Sequence, residues 1–314
     1  MTVVAITSRS FTRHPVLRRE LIERYPEARF NDDGLKLAGP QLIDFLDGAE
    51  KAITALECLN EALFQALPGL KVVSKYGVGI DMIDLDAMAR HGVRLGFTPG
   101  VNRRAVAELV ISFAIALLRH VPRANAEVLA GDWHQIMGRQ LSGRSVGIIG
   151  CGNIGKLLGR LLRAFGCRVL AHDILDFPDY FAETGVEPVA LVDLLRVADV
   201  VTLHLPLDPS TEYILDAGRL ALMKPDAILI NTARGGLVDE GALKQMLKRG
   251  RLVGAAFDVF AEEPPVDREL LQMPNMLATP HIGGSSEEAV LNMGRAAIAG
   301  LDDYGDPLEI TAKG

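Results

Sequence analysis

The chain has 314 residues, 49% of them hydrophobic and 23% charged, with 40 acidic and 33 basic side chains for a formal net charge of -7. This composition describes a globular protein long enough for two domains with filled cores, and it excludes a disordered chain or one covered by a general basic field for nucleic acid or anionic membrane. The three cysteines, Cys58, Cys151 and Cys167, have no metal-ligand spacing and no even count for a disulfide framework, so we read all three as structural thiols in a reducing compartment. "MTVVAITSRS" enters a β-branched strand without a charged-then-apolar leader, and there is no apolar uncharged run of 18 residues. A cytoplasmic protein is expected, with no nucleic-acid partner, no membrane partner and no bound metal.

In chain order, "VVAIT", "KAITAL", "KVVSKYG" and "VRLGFT" are short strands, each separated by enough residues for a helical crossover, which makes one parallel α/β unit. "NRRAVAELVISFAIALLRHV" follows as a long apolar-periodic helix, with Asn102 as its expected N-cap and Pro122 beyond its end. Its apolar residues exceed one buried face, so it is expected to pack between domains or subunits. A second alternating series runs through "SVGIIG", "RVLAHD", "DVVTLHLP", "AILINTA", "LVGAAFDVF" and "NMLATPH", the six strands of a Rossmann sheet. "SSEEAVLNMGRAAIAGLDDY" then reads as a terminal helix capped by Ser285 or Ser286, with Glu287 and Glu288 in its positive first turn. Without a linker or repeat between the series, a discontinuous first domain is expected.

"VGIIGCGNIGKLLGRLL" carries Gly150, Gly152 and Gly155 in the spacing G-x-G-x-x-G between a strand and an amphipathic helix. Alone that spacing is weak, but this setting suits a dinucleotide: Gly150 turns the chain, Gly152 lets backbone approach the pyrophosphate, and Gly155 permits close helix packing at a helix N-terminus that attracts the anion. Asp173 ends the next strand 18 positions after Gly155. A carboxylate there binds adenosine ribose hydroxyls and repels a 2′-phosphate, and the following "ILD" supplies no Arg, so NAD is expected rather than NADP.

Ligands of doubly wound sheets bind beyond the carboxyl ends of the strands, and three polar groups stand there. "ILINTARGGLVDE" places Arg234 past an apolar strand, where its fork matches a carboxylate in two-point contact; "GAAFDVFAEEPP" holds Asp258, Glu262 and Glu263; "ATPHIGGS" presents His281 between a Pro and two glycines. Each taken singly is an ordinary surface or packing residue. The remaining histidines, His14, His91, His120, His134 and His172, lack such company and are read as surface or packing residues.

Taken together, "SKYGVGIDMIDLDA", "TPGVNRRAVAEL", the glycine fingerprint, "NTARGGLVDE", "DVFAEEPP" and "TPHIGG" make the chain similar to the D-isomer-specific 2-hydroxyacid dehydrogenases, which include phosphoglycerate dehydrogenases and hydroxypyruvate reductases. The resemblance implies two doubly wound α/β domains, a Rossmann NAD-binding domain (99–283) inserted into a flavodoxin-like substrate domain (1–98 with 284–314). It implies Arg234, Glu263 and His281 as the catalytic triad, with Arg234 polarising the 2-oxo-carboxylate, His281 as acid/base and Glu263 as its partner. It places Lys75, Val78, Gly79, Arg234 and His281 on the substrate. Gly150, Gly152, Asn153, Ile154, Gly155, Asp173, His204, Pro206, Thr232, Ala233, Arg234, Asp258, His281 and Gly283 fall along the cofactor. A homodimer through the 102–121 helix is also implied. Formate dehydrogenases share the fold but carry glutamine where Glu263 stands, which argues against formate. The regulatory extension of longer phosphoglycerate dehydrogenases is missing, so serine feedback is not expected, and neither are the recruiting segments of the family's NAD-sensing corepressors seen.

The chemistry fits these residues. Reducing a 2-oxo acid needs a hydride on C2 and a proton on the carbonyl oxygen; a carboxylate beside His281 stabilises imidazolium, and Arg234 offsets the charge developing on oxygen. Arg9, Lys75, Arg103 and Arg104 form a local basic excess in an acidic chain. Their convergence would imply a second anion and a D-3-phosphoglycerate dehydrogenase-type activity, with hydroxypyruvate or glyoxylate reduction as the alternative.

Overall fold

The structure is a computed structural model that describes residues 2–312. The chain divides into two compact units, Met1–Asn102 with Gly284–Gly314, and Arg103–Gly283. Each carries its own parallel sheet.

In the first unit the strands β1 (Val4–Ile6), β2 (Arg29–Phe30), β3 (Lys51–Thr54), β4 (Val72–Lys75) and β5 (Arg94–Gly96) lie in the order β2-β1-β3-β4-β5. This is the flavodoxin-like order. Side chains of a strand alternate between faces, so Ala5, Ala52, Val73 and Leu95 enter one core while Val4, Ile6 and Ile53 enter the other. The second core is closed from the far end of the chain by Ala297, Ile298 and Leu301. The helix that carries the first two, Glu287–Ala299, starts at Ser286, whose hydroxyl accepts the Ala289 N–H at 3.1 Å, and ends where Ser74 Oγ donates to Ala297 O at 2.7 Å. Strand β2 was not expected from sequence: it is a two-residue edge with no alternation to read.

The second unit holds seven strands, β6 (Ser145–Ile149), β7 (Arg168–His172), β8 (Glu187–Pro188), β9 (Val200–Leu203), β10 (Ile228–Asn231), β11 (Gly254–Phe257) and β12 (Met276–Ala278), in the order β12-β11-β10-β9-β6-β7-β8. That is Rossmann order with one further strand at the β12 edge. The six strands read from sequence are present, and β8 is the additional one, again a two-residue edge. Val146 and Ile148 face a core with Val110, Phe113, Leu158 and Leu162, whereas Ile149 faces the opposite core with Leu194, Val201 and Leu229. Chain direction across the sheet reverses between β6 and β9, so the carboxyl ends of these two strands flank the switch point.

Two expectations about the long helix need correction, its end and its cap. It runs Arg103–Leu118 and does not reach Val121, because His120 in the left-handed conformation (φ 54°) breaks it before a second helix, Val121–Leu129. Pro122 lies beyond the end of the first helix as expected, and with no N–H to lose it also fits the first turn of the second. Asn102 is no cap: among the described residues its buried Oδ1 has no hydrogen-bond partner. Val110, Phe113, Ala114, Leu117 and Leu118 of the helix enter a core of the second unit, while Ile115 is exposed. Among the described residues no single helix is long and apolar enough to cross a membrane.

Candidate active site

At the end of β6 the backbone turns through Gly150 at φ 98°, a region L side chains avoid, and a Cβ there would lie 2.7 Å from the His204 carbonyl. Gly155, in the first turn of the Asn153–Ala164 helix, packs so closely that a Cβ would stand 2.1 Å from Gly150 O. Gly152 is different, because a Cβ there would meet nothing within 4 Å. The protein's own packing therefore does not demand glycine at 152, and the backbone there is open to close approach. Asn153 and Ile154 form the half-buried start of the helix, whose positive end favours an anion. Asp173 closes the turn from the β7 side: Oδ2 accepts the Cys151 N–H at 2.6 Å and Oδ1 the Leu175 N–H at 2.9 Å. Burial pushes the Cys151 thiol up to about 11, so it stays protonated and serves packing. Cys58, by contrast, is exposed, so the structure does not bear out a packing role for it.

Two buried polar atoms at neighbouring strand ends have no hydrogen-bond partner among the described residues, His204 Nδ1 after β9 and Thr232 Oγ1 after β10. The other ring nitrogen of His204 lies 3.0 Å from Thr202 Oγ1, and burial lowers its pKa to about 3, so the imidazole is neutral. Buried polar atoms are normally paired. Together with the open face at Gly152 and the carboxylate of Asp173, these orphans fit a polar ligand along the switch point, and NAD meets each requirement. Pro206 is exposed beyond β9, and Ala233 is buried next to Thr232.

Arg234 follows β10 and is set by a residue that sequence reasoning passed over. Asn231, fully buried at the strand end, donates from Nδ2 to Arg234 O at 2.7 Å and accepts the Ala233 N–H at 3.1 Å, folding the turn around itself. Arg234 Nη1 donates to Ala233 O at 2.7 Å. The polar Asn ending an otherwise apolar strand, "ILIN", was the available signal.

His281 stands after β12 with φ 55°, a left-handed conformation uncommon for a side-chain-bearing residue. Asp258, at the end of β11 and 1% exposed, holds it there. Its Oδ1 accepts Ile282 N–H at 2.8 Å and Thr279 Oγ1–H at 2.5 Å, its Oδ2 accepts Gly283 N–H at 2.7 Å, and its carbonyl accepts the His281 N–H at 2.9 Å. Asp258, placed along the cofactor from sequence, thus has both carboxylate oxygens inside the 279–283 turn, and Gly283 is buried by that clamp. Glu263 Oε2 lies 2.9 Å from His281 Nδ1, with the two side chains 40% and 52% exposed. An ionised carboxylate only accepts, so Nδ1 carries the proton and Nε2 is the nitrogen left for exchange with a substrate.

In the first unit Lys75 ends β4, buried, with its ammonium on the Ala55 carbonyl, and Val78 and Gly79 follow in a half-buried turn. The remaining basic residues are Arg9, which starts the Arg9–Arg13 helix, Arg103, and Arg104, whose Nε is 2.6 Å from Glu108. Four of the other five histidines have local partners: His14 Nδ1 accepts the Leu17 N–H at 3.4 Å, His91 meets Glu61 at 2.6 Å, His134 meets Glu127 at 3.0 Å, and His172 Nδ1 lies 3.2 Å from Val189 O.

Comparison with known proteins agrees with this geometry. Residues 111–283 match the family described as D-isomer specific 2-hydroxyacid dehydrogenase, NAD binding domain. The D-3-phosphoglycerate dehydrogenase of Bacillus subtilis is 39% identical over 237 residues, which are 75% of this chain and 45% of that one. The glyoxylate reductase of Thermococcus litoralis is 34% identical over 280 residues, 86% of this chain and 85% of that one. A solved structure described as a putative D-isomer specific 2-hydroxyacid dehydrogenase from Polaromonas superposes with a TM-score of 0.88 at 29% identity, covering 96% of each chain. The chain belongs to the D-isomer specific 2-hydroxyacid dehydrogenase family. It spans less than half the length of the phosphoglycerate dehydrogenases it matches.

Proposed function

We propose that the protein is an NAD-dependent dehydrogenase that interconverts a D-2-hydroxy acid and its 2-oxo acid. The observation that carries this reading is the Glu263–His281 pair, 2.9 Å apart, on an imidazole held in a left-handed turn by Asp258. The glycine turn and the Asn153–Ala164 helix start would hold the cofactor pyrophosphate, Asp173 the adenosine ribose, and Thr232 and His204 the polar groups nearer the nicotinamide. When bound, the reduced cofactor supplies the hydride that C2 of the oxo acid receives. Arg234 presents its fork to the 2-oxo-carboxylate and offsets the charge that grows on the carbonyl oxygen. His281 delivers a proton from Nε2 to that oxygen, while Glu263 stabilises the imidazolium until transfer. In the oxidative direction His281 takes the hydroxyl proton instead.

For the substrate, D-3-phosphoglycerate is supported by relatives of that activity. A second reading, hydroxypyruvate or glyoxylate reduction, is favoured by two occupied cations, the Lys75 ammonium on Ala55 O and Arg104 on Glu108, and by the relative matched over 85% of its length. The discriminating measurement is kcat/KM with NADH for 3-phosphohydroxypyruvate against hydroxypyruvate and glyoxylate. A large preference for the phosphorylated acid supports the first reading, a ratio near one the second, and turnover of no 2-oxo acid overturns the dehydrogenase assignment.

Asp173 should make NADH preferred over NADPH by at least about tenfold, roughly 1.4 kcal/mol. In Asp173→Ala that gap should narrow through better use of NADPH. The KM for NADH should rise as well, since the same carboxylate holds the Cys151 and Leu175 amides. Equal efficiency of the wild type with both cofactors would count against this role.

We also read the protein as a cytoplasmic homodimer. Leu129, Trp133 and Met137 are 80%, 89% and 93% exposed along one segment of the second unit, apolar surface of the kind that subunit contacts cover. Sedimentation as a monomer at micromolar concentration would refute the dimer.

A further inference from the structure

Glu240 opens the Glu240–Lys248 helix, just beyond the Arg234 turn, and its carboxylate reaches across the fold. Its Oε1 accepts the Ala261 N–H at 2.7 Å, in the loop that carries Glu263. One residue earlier, Phe260 N–H donates to Glu263 Oε1 at 3.2 Å, while Glu263 Oε2 holds His281 Nδ1. The same dipeptide is pressed from the Arg234 side: a Cβ on Gly235 would fall 1.9 Å from Phe260 C and 2.1 Å from Ala261 N. Phe260–Ala261 is therefore the place where the turn of Arg234, the carboxylate of Glu240 and the carboxylate of Glu263 meet. Glu240 is half-buried, and that burial, with Asp267 nearby, raises its carboxyl above the usual range against the lowering effect of the Ala261 N–H. The charged groups around it are Asp267, which Lys244 of the same helix binds at 2.6 Å, and Asp239, whose carboxylate caps that helix at Ala242 N.

We propose that Glu240 is a positioning residue that sets the Glu263 carboxylate against His281 by accepting the Ala261 N–H. The inference rests on the dehydrogenase reading for its kinetic consequence but not for its structural one. A displacement of about 1 Å at a reacting group can cost on the order of 10²-fold in rate, and whereas Asp258 fixes the His281 turn, the Glu263 carboxylate is anchored at the Phe260 N–H, next to the amide that Glu240 holds.

The test compares Glu240→Ala, which removes the acceptor, with Glu240→Gln, which removes the charge but keeps an acceptor oxygen. In Glu240→Ala, kcat for 2-oxo acid reduction should fall by about 10²-fold with the KM for NADH unchanged, and the alkaline limb of the pH–rate profile, where His281 loses its proton, should move to lower pH because Glu263 no longer steadies the imidazolium. Glu240→Gln should restore both to near the wild type. The imidazole titration of His281, followed by NMR in the protein without substrate, should move to lower pH in the alanine variant only, and it reads the pair even if no substrate is turned over. Equal shifts in the Ala and Gln variants would mean that charge acts through space and would overturn the proposal, as would an unmoved titration in Glu240→Ala. If the alanine variant does not fold, Glu240→Asp, which withdraws the carboxylate by one methylene, should give the same loss, and wild-type behaviour there overturns it equally. Inactivity of the wild type with an unchanged NMR outcome would refute the dehydrogenase reading alone.

Discussion

Replacing His281 with Gln should lower kcat by about 10² to 10⁴-fold, the usual contribution of a positioned general acid, while NADH affinity stays nearly intact. The amide can still accept or donate a hydrogen bond but cannot give up a proton near neutral pH, so only the chemical step suffers. The left-handed backbone at φ 55° adds a complication, because glutamine is less at ease there than histidine. His281→Asn resolves it, since asparagine tolerates that conformation. Both variants should lose kcat alike if the proton is what matters. A fall of less than tenfold in both, measured at saturating substrate, would reduce His281 to a positioning role.

Arg234→Lys should be nearly as damaging although it keeps the charge. A planar fork can meet a carboxylate at two points and an ammonium only at one, and the loss of one donor to a developing oxyanion costs about 10² to 10³-fold. The fall should appear in kcat/KM for the oxo acid, with the KM for NADH little changed. Because Asn231 folds the turn through backbone atoms of Ala233 and Arg234, the substitution leaves that scaffold in place, and circular dichroism should match the wild type. Substrate affinity near the wild-type value would remove Arg234 from the site.

Most of the fold was legible because each central strand is a short β-branched run followed by a helical period, and parallel order then allows few topologies. The two missed strands, Arg29–Phe30 and Glu187–Pro188, are edge pieces formed by pairing alone. The 102–121 segment reads as one helix because its apolar period continues to Val121, and only the left-handed His120 shows that it ends at Leu118. Within the candidate site, Gly150, Gly155, Glu263 and His281 could be found from sequence because spacing or motif sets them. Asn231 left only the polar end of an apolar strand as a signal, and Glu240 left none, since it acts on a backbone group far along the chain and such contacts leave no pattern of residue types. Asp258 was visible as a carboxylate at a strand end. Which way its oxygens turn is a matter of tertiary structure, and here they face the 279–283 backbone.

The route of the chain also sets an order of events on the ribosome. Strands β1 to β5 are all made before the second unit, yet Ala297, Ile298 and Leu301, which seal one face of their sheet, are made after it. At about 5–20 residues per second, the nascent first half waits on the order of 10 to 40 s for its closing helix, with Val4, Ile6, Ile53 and Tyr76 lacking that cover. The contiguous Arg103–Gly283 unit has no such wait, since every strand of its sheet lies within the segment itself. Biosynthesis therefore offers chaperones an apolar sheet face early, and a segment translated after the whole second unit is the one that removes it.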